Sequence, residues 1–192
     1  MIKIFFSVFI LFVLSALYSC SPGSILASGG ATTMVVAEGD RTLGDVVDDT
    51  TIKINISSNL LSSSTNLFVN INTSVIEGRV LLTGIVDTQE IRIEAVRKVW
   101  EVDGVREVIN EIEIGNKTTI KEYANDLWIT TQVKGLAAKT IGLRALSYNF
   151  ETIKGKVYIA GITTKPEQLD ELVESIKTIK GVKEIINYVI VK

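Results

Sequence analysis

Residues 76–85 read IEGRVLLTGI, and residues 153–162 read IKGKVYIAGI. A second matching pair follows at the same separation, with GVREVIN at residues 104–110 and GVKEIIN at residues 181–187. The separation is 77 residues, and from residue 76 to residue 114 it gives 13 identities in 39 positions without a gap. Chance would give about two or three identities at average residue frequencies. The chain therefore contains one module twice.

Each copy has the pattern of a helix, two strands, a second helix and a third strand. Asp48-Asp49 and Asn125-Asp126 predict the starts of the first helices, because Asp and Asn cap helix N-termini. Apolar residues at helical spacing predict their buried faces: Ile52, Ile56 and Leu60 in one copy, and Ile129, Val133, Leu136 and Ala137 in the other. The second helices have matching stripes: Ala95, Val96, Val99 and Val102, and Leu172, Val173, Ile176 and Ile179.

Strands are predicted at residues 67–76, 80–86 and 105–114, and again at residues 143–153, 157–162 and 182–191. Glycines at matched positions have predicted structural roles, in tight turns that need positive φ and at the C′ positions where the second helices end. The set is Gly78 and Gly155 for the turns, Gly104 and Gly181 for the helix ends, and Gly84 and Gly161 within the second strands.

The fold class follows from this order of elements. The first two strands of each copy should form a hairpin, and the second and third should lie parallel because a helix joins them. We expect an α+β fold of two tandem αββαβ domains, at residues 41–115 and 116–192, each with a three-stranded mixed sheet covered by two helices. A unit of about 65 residues buries only about 60% of its unfolded surface, so the two domains should pack together.

The N-terminus has the pattern of a processed secretion signal. Lys3 precedes an apolar run at residues 4–17, which predicts a signal peptide over residues 1–19. The sequence Leu17-Tyr18-Ser19-Cys20 resembles a bacterial lipobox, so Cys20 is the predicted lipidation site; a chance cysteine at the end of a signal peptide is the alternative. Ser21 follows, which by analogy favours the outer membrane, facing the periplasm. Residues 20–40 form a predicted lipidated tether rich in Ser, Gly, Ala and Thr.

The repeated Gly-(Arg/Lys)-Val-x-(Leu/Ile)-x-Gly strand, followed by a helix and Gly-Val-x-x-(Val/Ile)-x-Asn, resembles the BON (bacterial OsmY and nodulation) domain. The resemblance covers residues 48–115 and 126–192, and with the lipobox in front the architecture is similar to outer-membrane lipoproteins that carry two BON domains. The resemblance implies binding of anionic phospholipid through the second domain. It also implies a role in outer-membrane integrity and cell division.

The two copies differ in charge. Residues 40–115 contain 7 basic and 13 acidic residues, a net charge of −6, whereas residues 116–192 contain 12 basic and 8 acidic residues, a net charge of +4. Only the second copy should be attracted to an anionic membrane of the phosphatidylglycerol or cardiolipin type, by up to ~1 kcal/mol for each suitably placed Lys or Arg.

Trp128 is the predicted membrane anchor. It lies roughly 125° around its helix from the core face and so points outward. The predicted lipid-binding residues are Trp128, Gln132, Lys134, Gly135 and Lys139. Packing of Trp128 against the other copy or the tether is the alternative. For Trp100 we expect a packing role, at the contact between the copies.

The composition argues against catalysis and against a bound cofactor or metal. The chain has no His and one Cys, and it contains neither a nucleophile elbow nor a glycine-rich phosphate loop. The pair Asp48-Asp49 is interpreted as a helix cap. A net charge of −2 and an export signal argue against nucleic acid. The prediction is a monomeric lipid-binding protein; the alternative is a scaffold that docks an outer-membrane assembly or peptidoglycan-associated protein.

Overall fold

The computed structural model describes residues 43–116 and 118–192, and the predicted signal peptide, Cys20 and the tether lie outside them. The first domain begins with two helices, continues as a β-hairpin and a third helix, and ends on a strand. In chain order its elements are α1 (Leu43–Ser63), α2 (Thr65–Asn70), β1 (Ile71–Ile76), β2 (Arg79–Val86), α3 (Gln89–Trp100) and β3 (Glu107–Ile114).

The second domain repeats this order. Its elements are α4 (Ile120–Ile141), a 3-10 helix (Gly142–Ser147), β4 (Tyr148–Ile153), β5 (Lys156–Thr163), α5 (Pro166–Lys177) and β6 (Glu184–Val191). From β4 onward, every element has the bounds of its counterpart in the first domain shifted by 77 residues. The prediction of two tandem α+β domains is confirmed.

Each domain has one three-stranded mixed sheet. The strand orders are β1-β2-β3 and β4-β5-β6. The hairpin strands are antiparallel, with Ile76 opposite Arg79, and β2 and β3 are parallel, with Val80 opposite Val108. The second sheet has the same pairing at matched positions.

The helices of each domain cover one face of its sheet. In the first domain, Ile52 and Ile56 of α1 pack with Val80 and Leu82 of β2. In the second domain, Ile129, Val133 and Ala137 of α4 have the same role. Fully burying an Ile or Leu side chain contributes about 1.5–3 kcal/mol, so these stripes are the main attachment of each helix to its sheet.

The faces without helices pack against each other and join the two domains. A third apolar cluster at this contact contains Ile76, Leu81, Tyr158, Ala160 and Ile162. Polar contacts cross the same contact. The hydroxyl of Tyr188 donates a hydrogen bond to Oε1 of Glu111, with 2.5 Å between the two oxygens. The ammonium nitrogen of Lys156 lies 2.6 Å from Oε1 of Glu113. The layers therefore run helices, sheet, sheet, helices.

The first helices begin earlier than the sequence predicted. α1 begins at Leu43 and α4 at Ile120, rather than at Asp48 and Asn125. Thr119 is the N-cap of α4, and its side chain accepts a hydrogen bond from the backbone N–H of Glu122, whose carboxylate accepts in return from the backbone N–H of Thr119. This capping box satisfies two helix-end donors and sets the start of α4 upstream of Asp126.

Two other kinds of boundary were also wrong, the starts of the first strands and the ends of the second helices. Residues 67–70 belong to α2 and residues 143–147 to the 3-10 helix, so β1 and β4 begin only at Ile71 and Tyr148. The second helices end at Trp100 and Lys177, with Glu101 and Thr178 as their C-caps. Gly104 and Gly181 lie three residues after these C-caps and therefore do not occupy the C′ positions.

Candidate functional site

The hairpin turn of each domain is held by a buried carboxylate from its first helix. Asp126 accepts backbone hydrogen bonds from Lys154 at 2.7 Å and from Gly155 at 2.8 Å. Both turn residues have positive φ, 50° at Lys154 and 83° at Gly155. Glycine adopts positive φ at the second position without steric cost. The carboxylate thereby fixes Lys154 beside the N-terminal half of α4.

Asp49 has the same role in the first domain, so the interpretation of Asp48-Asp49 as a helix cap was wrong. Its carboxylate accepts from the backbone N–H groups of Glu77 at 2.8 Å and Gly78 at 2.9 Å. Both Asp49 and Asp126 lie inside their helices and are buried. They connect a helix to a turn, which is a structural role.

The loop before β6 closes against the same turn. The backbone N–H of Lys183 donates to the carbonyl oxygen of Gly155 at 2.8 Å. A Cβ built on Gly155 would lie 2.7 Å from the carbonyl oxygen of Gly181, so only glycine fits this approach. A Cβ built on Gly181 would lie 3.1 Å from Ile129 in α4. The turn, the loop and α4 therefore meet at one end of the domain, which we call the turn end.

Trp128 lies on the outer surface of α4. Its side chain is 47% exposed, and Leu127 beside it is also exposed, as are Ile120 and Tyr123 one to two turns earlier. The contact between the domains is formed by the two sheets, on the opposite side of the second sheet from α4. Packing of Trp128 between the domains is therefore excluded, and a contact with the tether lies outside the described residues.

The other predicted lipid-binding residues divide between two flanks of α4. Gln132, Gly135 and Lys139 are exposed, and at 100° per residue all three lie within about 40° of Trp128. Lys134 lies about 120° from Trp128 around the helix. Its charge interacts with Glu151 of β4. Burial raises the pKa of the Glu151 carboxyl, and the positive charges of Lys134 and Lys53 oppose that shift. The structure therefore does not bring Lys134 together with Trp128.

Three lysines at the turn end are not among the predicted lipid-binding residues. Lys154 lies in the turn, and Lys180 and Lys183 lie in the loop that closes against it. Glu122 is the acidic neighbour of this group. Its pKa is lowered first by the hydrogen bond from the backbone of Thr119, then by the Thr119 side chain, and further by Lys154 and Lys183. The 77-residue offset was a usable signal, because it aligns Lys154 with Glu77 and Lys180 with Asp103.

The turn end of the first domain has the opposite charge. A cavity of about 440 Å³ lies there. The residues that line it include Asp45, Asp48, Thr51, Glu77, Asp103 and Arg106. Thr51 is the counterpart of Trp128, so the large aromatic side chain is present only at the basic turn end.

The expected place of Trp100 at the contact between the domains was wrong. Trp100 is the last residue of α3, is 51% exposed and lies in the outer helix layer. Its exposure is close to that of Trp128, but it belongs to the acidic domain.

Among residues 43–116 and 118–192, no group of three or more Cys, Asp, Glu or His side chains is arranged to hold a metal ion. None of the helices in this part of the chain is long and apolar enough to cross a membrane.

Comparison with known proteins identifies the class. The BON domain matches residues 48–116 and 125–192, so the chain belongs to the BON domain family and carries two copies of the domain.

Several relatives match over most of their length. The chain is 37% identical over 147 residues to the "Uncharacterized protein in gshII 5′ region" of Anaplasma centrale, covering 76% of this chain and 96% of that protein. It is 29% identical over 160 residues to the outer membrane lipoprotein DolP of Haemophilus influenzae, covering 82% of each. It is 30% identical over 154 residues to the 21 kDa hemolysin of Actinobacillus pleuropneumoniae, covering 78% of each. The predicted resemblance to two-BON outer-membrane lipoproteins is confirmed.

Proposed function

We propose that this protein is an outer-membrane lipoprotein, anchored through Cys20 and facing the periplasm, which binds anionic phospholipid through α4. It acts as a binding protein rather than an enzyme and supports envelope integrity and cell division. The similarity to DolP supports the location. The observation that carries the lipid contact is the exposed Trp128 on the outer face of a domain with a net charge of +4.

The chemistry of α4 suits a membrane interface. An indole is apolar in its body and polar at its N–H, so it is stable at the level of the lipid headgroups. Leu127 adds exposed apolar surface next to it, and Lys139 adds positive charge on the flank of Trp128. Burial of apolar area and attraction to anionic headgroups act together in such contacts.

Vesicle binding tests this proposal. Residues 21–192 should bind phosphatidylglycerol vesicles more tightly than phosphatidylcholine vesicles, and raising the salt concentration should weaken the binding. Burial of an aromatic side chain contributes ~2 kcal/mol, so Trp128→Ala should weaken binding by roughly 10- to 100-fold. Trp100→Ala is the matched control, since it removes an equally exposed Trp from the acidic domain. Equal binding by Trp128→Ala and the parent chain would refute the proposed contact.

Fluorescence gives an independent readout, because the chain has only two Trp residues. In a Trp100→Phe variant all Trp emission comes from Trp128. Adding anionic vesicles should shift this emission to the blue as the indole leaves water. An unchanged spectrum on vesicles that demonstrably hold the protein would show that another surface makes the contact.

A protein scaffold is the second candidate, and α1 is the observation that favours it. Val47, Ile54 and Leu61 are exposed at seven-residue intervals, with Ser and Thr between them. Hydroxyl groups of this surface donate to carbonyl oxygens of the same helix, such as Thr51 to Val47 at 2.9 Å, which leaves an uncharged surface able to pack against protein. Photocrosslinking in cells from positions 54 and 128 separates the functions: lipid adducts at 128 support membrane binding, and protein adducts there support the scaffold.

A further inference from the structure

The two turn ends differ at one matched set of positions. Relative to the first domain, the second domain replaces acidic side chains by neutral or basic ones, keeps one cation and gains an indole. The pairs are Asp48 and Asn125, Glu77 and Lys154, Asp103 and Lys180, Arg106 and Lys183, and Thr51 and Trp128. The backbone around them is the same in both domains, since each turn is held by a buried Asp and each loop donates to the second turn residue.

The geometry places the three lysines of the second domain on one surface. Lys154 is fixed by the hydrogen bond from its N–H to Asp126, and the aliphatic stem of Lys183 lies against the turn, 3.2 Å from a Cβ built on Gly155. Lys180 directly precedes Gly181, whose carbonyl meets the same turn. The first-domain counterparts of Lys154, Lys180, Lys183 and Trp128 all line a single cavity.

The charges of these lysines are available to a ligand. Among the described residues none of the three forms an ion pair, whereas Lys156 pairs with Glu113 and Lys177 pairs with Glu174. The carboxylate of Glu122, their acidic neighbour, is already held by the backbone and the hydroxyl of Thr119, at 2.9 and 2.7 Å. Three ammonium groups without ion-pair partners at one end of the domain are suited to the oxygens of a phosphodiester.

We propose that Lys154, Lys180 and Lys183 bind the phosphate of an anionic phospholipid headgroup next to Trp128. This inference rests on the proposed function and names the residues that bind the headgroup. They are lysines of the turn and the loop, and not Lys134 of the helix. The acidic turn end of the first domain is repelled by the same surface. The charge difference therefore sets which end of a nearly symmetric molecule meets the membrane.

A loss-of-binding variant tests the subsite. In residues 21–192, Lys154→Asn, Lys180→Gln and Lys183→Gln are combined; Asn is used in the turn because it tolerates positive φ. The control combines Arg144→Gln, Lys165→Gln and Lys177→Gln, which removes the same charge from the same domain and keeps Lys192, the ion-pair partner of Glu77. At about fivefold per lysine, the first variant should lose roughly a hundredfold in affinity for phosphatidylglycerol vesicles and the control much less. Unchanged thermal unfolding of both variants shows that they are folded.

The outcomes separate the subsite from the proposed function. If Trp128→Ala weakens vesicle binding but the turn-end variant equals the control, the subsite is wrong and the lipid contact of α4 stands. If neither variant weakens binding, both are wrong. Inorganic phosphate at matched ionic strength should not displace the chain from vesicles; displacement would assign the lysines to a free anion and overturn the membrane subsite.

A transplant supplies the converse test. Thr51→Trp, Glu77→Lys, Asp103→Lys and Lys192→Gln, introduced together into the turn-end variant, rebuild the basic end on the first domain. Lys192→Gln is included because Lys192 pairs with Glu77 in the parent chain. The affinity of this transplant variant for phosphatidylglycerol vesicles should be at least tenfold higher than that of the turn-end variant. A folded transplant that stays at the level of the turn-end variant would show that these positions do not form a headgroup site and would overturn the inference.

Discussion

The two buried carboxylates, Asp49 and Asp126, show how single residues position the candidate site. Each accepts two backbone hydrogen bonds from a turn whose first residue is not glycine but has positive φ. Such a conformation costs roughly 1–2 kcal/mol for an L-residue, and charge-assisted bonds to the turn offset that cost. Without the carboxylate, Lys154 would not be held beside α4.

Asp126→Asn should therefore destabilise the second domain. An amide oxygen can accept from one N–H, but the amide NH₂ faces the other donor and leaves it unsatisfied, at a cost of about 1–3 kcal/mol. The melting temperature should fall by about 2–4 °C for each kcal/mol in a chain of this size. Calorimetry measures this change, with exposed Asp170→Asn on α5 as the control. Equal melting temperatures for the two variants would contradict the role assigned to Asp126.

Glu151 predicts a pH dependence of stability. Burial raises the pKa of this carboxyl in the folded chain, and Lys134 and Lys53 only partly oppose the shift. Since the folded-state pKa lies above the unfolded value, the folded chain binds more protons over that interval. The free energy of unfolding contributed by Glu151 therefore falls as the pH rises through it.

Glu151→Gln should raise the free energy of unfolding at pH 7 and flatten its decline above the acidic range. Denaturant titrations of the variant and the parent chain across a pH series would measure this. Glu171→Gln on the exposed surface of α5 is the control. A variant less stable than the parent at neutral pH would show that Lys53 and Lys134 outweigh the desolvation of the carboxylate.

At the scale of elements, local patterns predicted what is decided locally. Alternation and helical spacing are properties of short segments, so the sequence predicted the hairpin and the parallel third strand. It also predicted the buried face of α5, which includes Leu172 and Ile176. The start of α4 was missed although its signal is local, because Thr119-Ile120-Lys121-Glu122 has the spacing of a capping box and only the Asn125-Asp126 pair was considered. The flank occupied by Lys134 depends on where β4 runs beside α4, which no local pattern contains.

The capping box gives a prediction for α4. Thr119→Ala removes the acceptor for the N–H of Glu122 and should cost about 1 kcal/mol. Because the loss is at a helix end, amide hydrogen exchange should become faster over residues 120–123. Exchange in the rest of the domain should change less. Thr178→Ala, after α5, is a control that removes a hydroxyl from a helix end without such a box. Uniform loss of protection across α4 would contradict a purely terminal role.

At the scale of the molecule, the two domains are related by approximate two-fold symmetry. Tyr188 and Glu111 are counterparts at the 77-residue offset, and they contact each other. Counterpart residues meet only near a two-fold axis, so the axis passes beside this pair. The strand contacts agree, since β1 contacts β5 and β2 contacts β4. The sheets therefore meet as two copies of a single module would in an isologous dimer.

The symmetry predicts how separated domains behave. The face of the second sheet is largely apolar, with Tyr158, Ala160 and Ile162 buried in the contact, whereas the first sheet contributes Glu111 and Glu113 to it. Residues 116–192 alone should therefore self-associate through this face, with Tyr188 against Tyr188. Residues 41–115 alone should remain monomeric, because self-association would bring two Glu111 carboxylates together near the axis, and mixing the two fragments should give a one-to-one complex.

Sedimentation equilibrium measures all three states. In the isolated second domain, Tyr188→Glu should abolish self-association by placing two carboxylates at the axis, while Tyr188→Phe should leave it intact because the ring still packs. In the full chain, Tyr188→Phe loses one hydrogen bond to the carboxylate of Glu111 and should cost about 1.5–3 kcal/mol. If isolated residues 116–192 are folded and monomeric at high concentration, the sheet face does not suffice for association, and covalent linkage of the domains is what holds the two sheets together.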